Sequence, residues 1–319
     1  MRPPSCPLFV ALLLACASKW PGQVKAVHIH HGLQEAADDF VVQAQQFCEQ
    51  HHIPLHVVYL NAKHGSGQSP EEVARRKRYN AIDEAVQALE VASVALAQHQ
   101  DDQIETFVLA LSRGAGLPGL SAMPMQWTRP SLNTGLVQDS QQAHSLEPLS
   151  QNPIQVPFYR PLLKTSKQAI LQYLEQHNTR FIEDPSNTDI QFTRNKIRHC
   201  VTPALAQAFP QYRDTFQRSI EHIVQAQSLI EELAQHDLIQ VGQPPKIKEL
   251  QQLNNNRMAN VLRYWLKNEF RVSPSAAQLQ ELMLQIARCT TRGHQINIKI
   301  ANGNLERQGQ ALHWYNREG

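Results

Sequence analysis

Two neighbouring acids and a histidine form the segment of this sequence whose residue types and spacing best suit chemistry. His99 is followed by Asp101 and Asp102, and Glu105 lies about one helical turn further along. Acids at the start of a helix usually complement the helix dipole. A helix start also favours phosphate, so neighbouring carboxylates there could hold Mg²⁺ against a nucleotide polyphosphate. This segment is therefore the strongest candidate for a site.

A glycine-rich stretch follows the same segment. Gly114, Gly116 and Gly119 are close enough in sequence to let the backbone approach a ligand closely. Helix termination alone would also explain Gly114, because glycine is common just beyond a helix C-terminus. Both interpretations stay open from the residues alone.

Alternating strand and helix patterns surround these residues in the first half of the chain. Apolar runs predict strands and amphipathic segments predict helices, in the order 24–30, 33–50, 53–60, 70–89, 91–97 and 101–114. This order predicts a Rossmann-like α/β fold, a parallel sheet with crossover helices. Ligands of such sheets bind beyond the carboxyl ends of the strands. His30 and His31 lie at one such end, and His99 lies at another.

The second half of the chain has a different character. Residues 127–157 are rich in Ser, Gln, Asn and Pro, which predicts a surface loop or insertion. Long helices and then two short strands are predicted beyond residue 210, at 212–237, 257–270, 275–287, 295–300 and 311–315. We therefore expect a catalytic domain over residues 1–205 and a smaller, mostly helical substrate-binding domain over 206–319.

Composition excludes several classes of function. The net charge of +2 is too small to identify a polyanionic partner by itself. Five cysteines lie far apart without a C-x-x-C pair, which argues against a disulfide framework and a four-thiolate zinc site. The fifteen histidines include no H-E-x-x-H motif that would predict a metal site. A reducing, cytosolic compartment fits this cysteine usage.

An apolar run over residues 8–17 has two interpretations. It resembles a short secretory signal that ends in Leu-Leu-Ala-Cys, or it is the buried first helix of the α/β domain. The sequence continues directly into the nucleotide-binding pattern, which favours the buried helix. No stretch reaches the roughly 18 to 20 apolar residues that span a bilayer. We therefore expect a cytoplasmic protein without a membrane partner.

Seven motifs follow one another along residues 22–205. In chain order they are His30-His31-Gly32-Leu33; Glu71 with Ala74-Arg75 and Arg78-Tyr79; His99 with Asp102 and Glu105-Thr106; Gly114 with Gly116, Gly119 and Leu120; Arg160-Pro161-Leu162-Leu163; Glu183-Asp184-Pro185-Ser186-Asn187; and Arg194-Asn195-Lys196-Ile197-Arg198. This ordered set resembles the tRNA(Ile)-lysidine synthases, which belong to the PP-loop ATP pyrophosphatase superfamily. One such motif would be weak evidence, but the ordered set is specific.

The resemblance implies an adenine nucleotide alpha hydrolase-like fold and an ATP-dependent ligase. Enzymes of this family adenylate the C2 oxygen of the wobble cytidine in the isoleucine tRNA with a CAU anticodon. An amine of L-lysine then attacks C2 and displaces AMP, which leaves lysidine. The expected cofactors are therefore ATP and Mg²⁺, and the expected partners are that tRNA and L-lysine. A homodimer is a further expectation.

The same resemblance assigns roles to residues by position. It places Asp102 (or Asp101) at the metal and the reaction centre, with His99 and Glu105 in the same pocket. The residues assigned to nucleotide binding are His30, His31, Gly114 and Gly116. The residues assigned to phosphate or tRNA contacts are Arg194, Arg198, Arg75 and Arg78. The basic run over residues 75–78 fits a solvated helix face equally well.

The start of the sequence departs from the family pattern. Family members have a Ser-Gly-Gly-x-Asp-Ser loop whose backbone N–H groups cradle the pyrophosphate of ATP. Here Ser5-Cys6-Pro7 stands where that loop should end, and the first glycine is Gly22. We therefore expect the loop to be missing and ATP turnover to be reduced, with residues 10–19 forming the helix that normally follows it.

Two alternatives to an active lysidine synthase remain. One is a catalytically impaired remnant that still binds tRNA. The other is a related tRNA-modifying PP-loop enzyme such as a tRNA thiolase, although thiolases typically use paired cysteines and this chain has none.

Overall fold

The computed structural model describes residues 7–30, 36–60, 70–130, 155–179, 193–291 and 293–316. Its contacts divide the chain into two compact units, Met1–Ile220 and Glu221–Gly319. Predictions for several positions lie outside the described residues: Ser5 and Cys6, His31 to Leu33, and Glu183 to Asn187. Each unit has a hydrophobic core of its own.

The first unit begins with helices and strands in alternation. Their bounds are α1 Pro7–Lys19, β1 Ala26–His30, α2 Ala36–Gln50, β2 Leu55–Tyr59, α3 Pro70–Ala88 and β3 Val94–Ala95. β1 and β2 pair in parallel, from Ala26 opposite Leu55 to His30 opposite Tyr59. Parallel neighbours need a crossover connection, and α2 supplies it. The prediction of parallel strands with crossover helices is confirmed.

The apolar run near the N-terminus is the buried helix α1. Its residues Val10 and Leu13 are in one core cluster with Phe47 of α2 and with Ile170 and Leu174. A short helix that is apolar on most sides belongs in a protein core. The buried-helix interpretation of this run is therefore confirmed. Within the described part of the chain, no helix is long and apolar enough to cross a membrane.

A second sheet in the first unit joins β3 to β4 (Gln126–Pro130) and β5 (Gln155–Tyr159). β5 lies in the middle, parallel to β3 and antiparallel to β4. Phe158 of β5 is fully buried and packs in a cluster with Tyr79 and Ile82 of α3. This sheet therefore holds the inner face of α3 against the strands.

One strand prediction and one loop prediction in this region need correction. The strand predicted over residues 91–97 is only Val94–Ala95, because it pairs with just Phe158 and Tyr159 at the end of β5. The loop predicted over residues 127–157 is wrong at both ends, where β4 and β5 form. The apolar residues Val156 and Phe158, which are the buried ones in β5, are spaced two apart as in a strand. The polar and proline residues around them obscured that spacing.

The rest of the first unit is helical. It contains α4 Gln100–Ser112, α5 Leu117–Leu120, α6 Lys167–Gln176, α7 Thr193–Lys196, a π-helix Ile197–Val201, α8 Thr202–Ala208 and the start of α9 Tyr212–Val241. Ser166 caps α6 by accepting a 3.2 Å hydrogen bond from the Ala169 N–H. Such a cap satisfies one of the donors that every helix start leaves without a partner. The helix predicted over residues 101–114 is confirmed as α4.

The second unit is mostly helical, as expected. After the end of α9 it contains α10 Ile247–Leu250, α11 Asn255–Phe270, α12 Ala276–Arg288 and an antiparallel sheet of β6 Asn297–Ile300, β7 Gly303–Gln308 and β8 Ala311–Asn316. Trp265, Leu262 and Leu282 are fully buried in its core. The sequence predicted β6 and β8 but missed β7, whose residues Asn-Leu-Glu-Arg-Gln are mostly polar.

Candidate active site

His99 lies at the N-cap of α4 and fixes the first turn of that helix. The Asp102 backbone N–H donates to His99 Nδ1 over 3.2 Å, and the His99 backbone N–H donates to Asp102 Oδ2 over 3.0 Å. This reciprocal arrangement satisfies backbone donors that a helix start leaves unpaired. His99 is almost fully buried. Two of the predicted catalytic side chains are therefore held in one geometry by local structure.

The charges of His99 and Asp102 are coupled as well. His99 Nδ1 also lies 3.0 Å from Asp102 Oδ2 and donates to it when the imidazole is protonated, whereas a neutral Nδ1 without a proton accepts from the Asp102 N–H. Burial by itself would lower the pKa of His99, but the hydrogen bond and charge of Asp102, with Asp101, outweigh burial and raise that pKa. Burial would likewise raise the pKa of Asp102, but His99 and Arg198 outweigh burial and lower it. The pair therefore favours a carboxylate beside an imidazole that holds its proton more firmly than usual.

Glu105 forms the second acidic position of the cluster, and Arg198 holds it. Arg198 Nε and Nη2 donate to the two Glu105 carboxylate oxygens over 2.7 and 3.0 Å. Arg198 Nη2 also lies 3.5 Å from Asp102 Oδ1. Burial raises the pKa of Glu105 by more than Arg198 lowers it, so the carboxylate depends on that arginine for its charge. One guanidinium therefore serves both carboxylates.

Arg194 reaches the same face of α4. Its Nη2 atom lies 3.4 Å from Thr106 Oγ1, and the Thr106 hydroxyl donates to the Asp102 carbonyl over 2.8 Å. Asp102, Glu105 and Thr106 share this face because they are separated by three and four residues. Arg194 and Arg198 come from α7 and the π-helix. π-Helical turns often occur at functional sites.

Asp101 points to a different partner. Arg213 Nε donates to Asp101 Oδ1 over 2.6 Å, and both residues line a cavity of about 520 Å³ together with Lys167 and Glu175 of α6. The two neighbouring carboxylates therefore do not converge on one point. The structure groups Asp102 with His99 and Glu105, and it places Asp101 beside α6.

The residues of this cluster fit a metal ion only in a limited way. Among the described residues, no three His, Cys, Asp or Glu side chains are grouped to hold a metal. Mg²⁺ is usually bound by one or two carboxylates together with substrate phosphates. Asp102 fits that mode, because among the described residues its Oδ1 atom has a single contact, the longer one of 3.5 Å to Arg198. The donor set suits a substrate-bound Mg²⁺ and not an all-protein cage.

The residues predicted to bind nucleotide are spread over more than one place. His30 lies at the carboxyl end of β1, with Nε2 3.1 Å from Asp38 Oδ1. Gly114 and Gly116 follow the C-terminus of α4, about 18 Å along the helix from Asp102. Gly114 has φ +66°, so glycine is favoured there by helix termination alone. These nucleotide assignments stay predictions.

Arg75 and Arg78 of α3 line a separate cavity of about 170 Å³ with Gln98. The Arg75 guanidinium lies 5.1 Å from the centre of the Tyr79 ring. Gln98 of this cavity directly precedes His99 of the acidic cluster, so adjacent residues of the chain belong to the two sites. The role of the two arginines in phosphate or tRNA contact stays a prediction.

Sequence patterns assigned no role in these sites to three polar residues. Arg213 pairs with Asp101, Gln98 lines the second cavity, and Arg160 is buried beside it. Arg160 belongs to a motif, but its spacing gave no indication of a buried charge. No local pattern marks Arg213 or Gln98, because their partners are distant in sequence.

The acidic cluster can do a defined set of chemical tasks. A buried carboxylate and a partly exposed one, both in contact with one arginine, can stabilise positive charge on a bound group. The His99–Asp102 pair can accept or hold a proton near neutral pH. No serine, cysteine or lysine lies within the described hydrogen-bond contacts of the cluster to act as a nucleophile. The geometry suits a reaction between two bound substrates.

Comparisons with known proteins match both halves of the chain. Residues 5–205 match the PP-loop domain, and residues 246–313 match the TilS substrate binding domain. A tRNA(Ile)-lysidine synthase of Polaromonas naphthalenivorans (strain CJ2) is 50% identical over 302 residues, which are 95% of this chain and 84% of the relative. The chain belongs to the tRNA(Ile)-lysidine synthase family. The resemblance drawn from the seven motifs is therefore confirmed at the level of the family.

A further relative and a solved structure agree with this assignment. The tRNA(Ile)-lysidine synthase of Burkholderia pseudomallei (strain K96243) is 33% identical over 302 residues, and this chain spans 57% of its length. The U34-tRNA thiolase NcsA from Methanococcus maripaludis, a structure with a [4Fe-4S] cluster, has a TM-score of 0.50 and 17% identity over 68% of each chain. Because the identity is low, this structural similarity supports the fold alone. Use of ATP follows from membership in the PP-loop family.

Proposed function

We propose that this protein is a ligase that uses ATP to join L-lysine to C2 of the wobble cytidine in the CAU-anticodon isoleucine tRNA, which gives lysidine. The observation that carries the proposal is the cluster in which the buried His99 and Glu105 contact the partly exposed Asp102 and Arg198, in a chain of this family. The family assignment favours lysidine formation over the thiolase alternative. Because the reaction acts on tRNA, we place it in the cytoplasm.

The proposed reaction has two balanced steps. The C2 oxygen of the cytidine attacks the α-phosphorus of ATP, and pyrophosphate leaves with the electron pair of the broken P–O bond. The lysine nitrogen then attacks C2, the C2–O bond breaks, and AMP leaves with that oxygen. The nitrogen loses its proton in this step. Activation is needed because an amide-like oxygen is a poor leaving group until it is bound to phosphorus.

We assign the acidic cluster to the second step, in addition to the part that Asp102 plays as a metal ligand in the first step. The lysine nitrogen would attack as a neutral amine, after its ammonium group has given up a proton, and Asp102 and Glu105 would stabilise the positive charge that develops on that nitrogen during attack. The His99–Asp102 pair is the proton acceptor nearest to them, because His99 contacts Asp102 directly. Arg194 and Arg198 would contact a phosphate of ATP or tRNA. Holding both substrates at one cluster supplies the proximity that a two-substrate reaction requires.

Mg²⁺ is part of the proposal, with Asp102 as its protein ligand. Bound with ATP, Mg²⁺ would neutralise charge on the departing pyrophosphate. The single longer contact of Asp102 Oδ1 supports this assignment. Asp101 contributes through Arg213 and is not assigned to the metal.

The wider assignments follow the same scheme. We propose residues 1–205 as the catalytic domain and 206–319 as the substrate-binding domain. His30, His31, Gly114 and Gly116 are proposed nucleotide contacts, and Arg75 and Arg78 are proposed tRNA or phosphate contacts. A homodimer is proposed as the assembly, and size-exclusion chromatography with light scattering would test it.

Two assays on the purified chain test the function. The first measures exchange of labelled pyrophosphate into ATP in the presence of the CAU isoleucine tRNA, and the second measures retention of that tRNA on a filter. We expect both exchange and retention, with exchange lost when the wobble cytidine is replaced by uridine. Retention without exchange would favour the tRNA-binding remnant and contradict the proposed ligase.

A further inference from the structure

The 170 Å³ cavity beside β3 has an unusual polarity. It is lined by side chains of α3 and of the residues that follow β3, including Arg75, Arg78, Tyr79, Ile82, Leu96 and Gln98. Its volume is well below the roughly 300 Å³ at which pockets hold a drug-sized ligand. The cavity therefore suits a small group and not a whole nucleotide.

Arg160 lies behind this cavity and is 2% exposed. Its Nε donates to Gln98 Oε1 over 2.5 Å, its Nη1 to the Pro124 carbonyl over 2.7 Å, and its Nη2 to Tyr79 Oη over 3.2 Å. The guanidinium also stacks 3.9 Å from the centre of the Trp127 ring. These four contacts fix the guanidinium much more firmly than a surface position does.

The Arg160 contacts decide which way the neighbouring polar groups point. Gln98 Oε1 must accept from Arg160, so the Gln98 amide NH₂ is left to donate elsewhere. Tyr79 Oη also accepts from Arg160, so the Tyr79 hydroxyl proton is likewise left to donate. Both residues line the cavity together with Arg75 and Arg78. Gln98 and Tyr79 therefore each keep a donor that their contact with Arg160 does not use.

The charges around the cavity also favour an anionic ligand. Arg129, another cation near Tyr79, is matched by Asp83, with Nη2 2.7 Å from Oδ2. Arg160 contacts only neutral acceptors among the residues that the structure describes. Burial lowers the pKa of Arg160, and the nearby charge of Arg75 lowers it further, against the opposing effect of Tyr79. A buried cation of this kind is stabilised by a nearby anion.

We propose that this cavity binds a phosphate group, and that Arg160 is a positioning residue that turns Gln98 and Tyr79 into donors toward it. The proposal rests on the proposed function, whose substrates bring phosphate as a nucleotide polyphosphate or as the tRNA backbone. Arginine forks pair well with phosphate oxygens. Gln98, which lines the cavity, directly precedes His99 in the chain, so a phosphate held there lies next to the acidic cluster.

The sharpest test is Gln98→Glu in the full chain. This change keeps the shape of the side chain and gives Arg160 a carboxylate partner, so the fold is retained. It replaces the donor that faces the cavity with a negative oxygen, which repels phosphate. Tyr79→Phe removes the second donor with little change of shape. Gln45→Glu is the matched control, because it adds the same charge at an exposed position of α2.

Binding of inorganic pyrophosphate, measured by calorimetry at low ionic strength, is the first readout. We expect Gln98→Glu to weaken it at least about tenfold and Tyr79→Phe to weaken it several-fold, with Gln45→Glu close to wild type. The melting temperatures of all variants should stay within a few degrees of wild type. Filter binding of the CAU isoleucine tRNA is the second readout, at several salt concentrations.

The two readouts identify the source of the phosphate. Weaker pyrophosphate binding with unchanged tRNA affinity supports a nucleotide phosphate, and weaker tRNA affinity with a smaller salt dependence supports the tRNA backbone. If a folded Gln98→Glu variant binds both ligands as the wild type does, the proposal is overturned. Neither readout needs lysidine formation. A wild type that binds both ligands but forms no lysidine would therefore contradict the proposed function and leave this proposal standing.

Discussion

At the scale of the residue, the site depends on how charges are paired at the start of α4. His99 caps the helix and contacts Asp102, while Arg198 holds Glu105 with two hydrogen bonds. Each buried charge in this group has a partner of opposite sign or a backbone donor. Buried charges without such partners are costly, so the group acts as one unit and changes at one position should be felt at the others.

Asp102→Asn should lower the pKa of His99. The variant removes the negative charge that outweighs burial, so burial then dominates. Because the pKa of His99 is raised in the folded protein, its stabilising contribution is full below about pH 6.5 and is lost as pH rises through the folded pKa. The lowered pKa of Asp102 adds stability above about pH 3.9.

NMR titration of the His99 imidazole and urea unfolding between pH 4 and pH 9 measure these effects. The stability advantage of the wild type over Asp102→Asn should be largest at about pH 4 to 6.5 and should shrink as the solution becomes alkaline. An unchanged His99 pKa in the variant would mean that the contact with Asp102 does not control it.

Glu105→Gln should destabilise the first unit. It leaves Arg198 without its bidentate carboxylate, and Glu105 is 1% exposed. Because Arg198 itself is one-third exposed, we expect a loss of about 1–3 kcal/mol in the free energy of unfolding. Glu84→Gln, an exposed position on α3, should change it by less than about 0.5 kcal/mol. Urea unfolding at pH 7 compares the two, and equal losses would argue against the buried ion pair.

The residue scale also shows what could be predicted from sequence. His99, Asp102 and Glu105 could be predicted because their short spacing puts them on one turn and face of a helix. The roles of Arg213 and Arg160 could not be predicted, because their partners are distant in sequence. Arg213 donates to Asp101, 112 positions away, and Arg160 donates to Gln98, 62 positions away. The orientation of Gln98 follows from the second of these contacts, so no local pattern contains it.

At the scale of the element, burial decides where sequence patterns succeed. Long periodic helices such as α9 and α11 could be predicted close to their bounds, since one apolar face marks each of them. Short strands could not, because β3 has two residues and β7 is largely polar. The run that resembled a secretory signal forms α1, whose apolar residues pack against α2, β1 and α6.

Leu174→Ala tests this packing at the level of the element. Leu174 of α6 is fully buried in the cluster that includes α1, so the variant should lose about 2–5 kcal/mol in the free energy of unfolding. Leu111→Ala is the control, because Leu111 of α4 is 58% exposed and should change stability by less than about 0.5 kcal/mol. Chemical denaturation followed by circular dichroism gives both values. Similar losses for the two variants would contradict the burial of α6 against α1.

At the scale of the whole molecule, the chain combines a PP-loop domain with a TilS substrate binding domain. The α/β class and the helical second unit could be predicted from the alternation of patterns along the chain. The family could be predicted from the order of seven motifs, and the comparison with a relative at 50% identity confirms it. The assignment of individual residues to nucleotide, lysine and tRNA remains a proposal, because those contacts involve bound substrates.

The central claim is that this chain forms lysidine at the cluster on α4. The most direct measurement is incorporation of radiolabelled L-lysine into the CAU isoleucine tRNA by the purified protein with ATP and Mg²⁺. We expect incorporation that requires ATP and the wobble cytidine, a fall of at least about a hundredfold in Asp102→Ala, and near wild-type incorporation in the exposed control Glu84→Ala. Incorporation that is unchanged in Asp102→Ala, or absent from a folded wild type, would contradict the account.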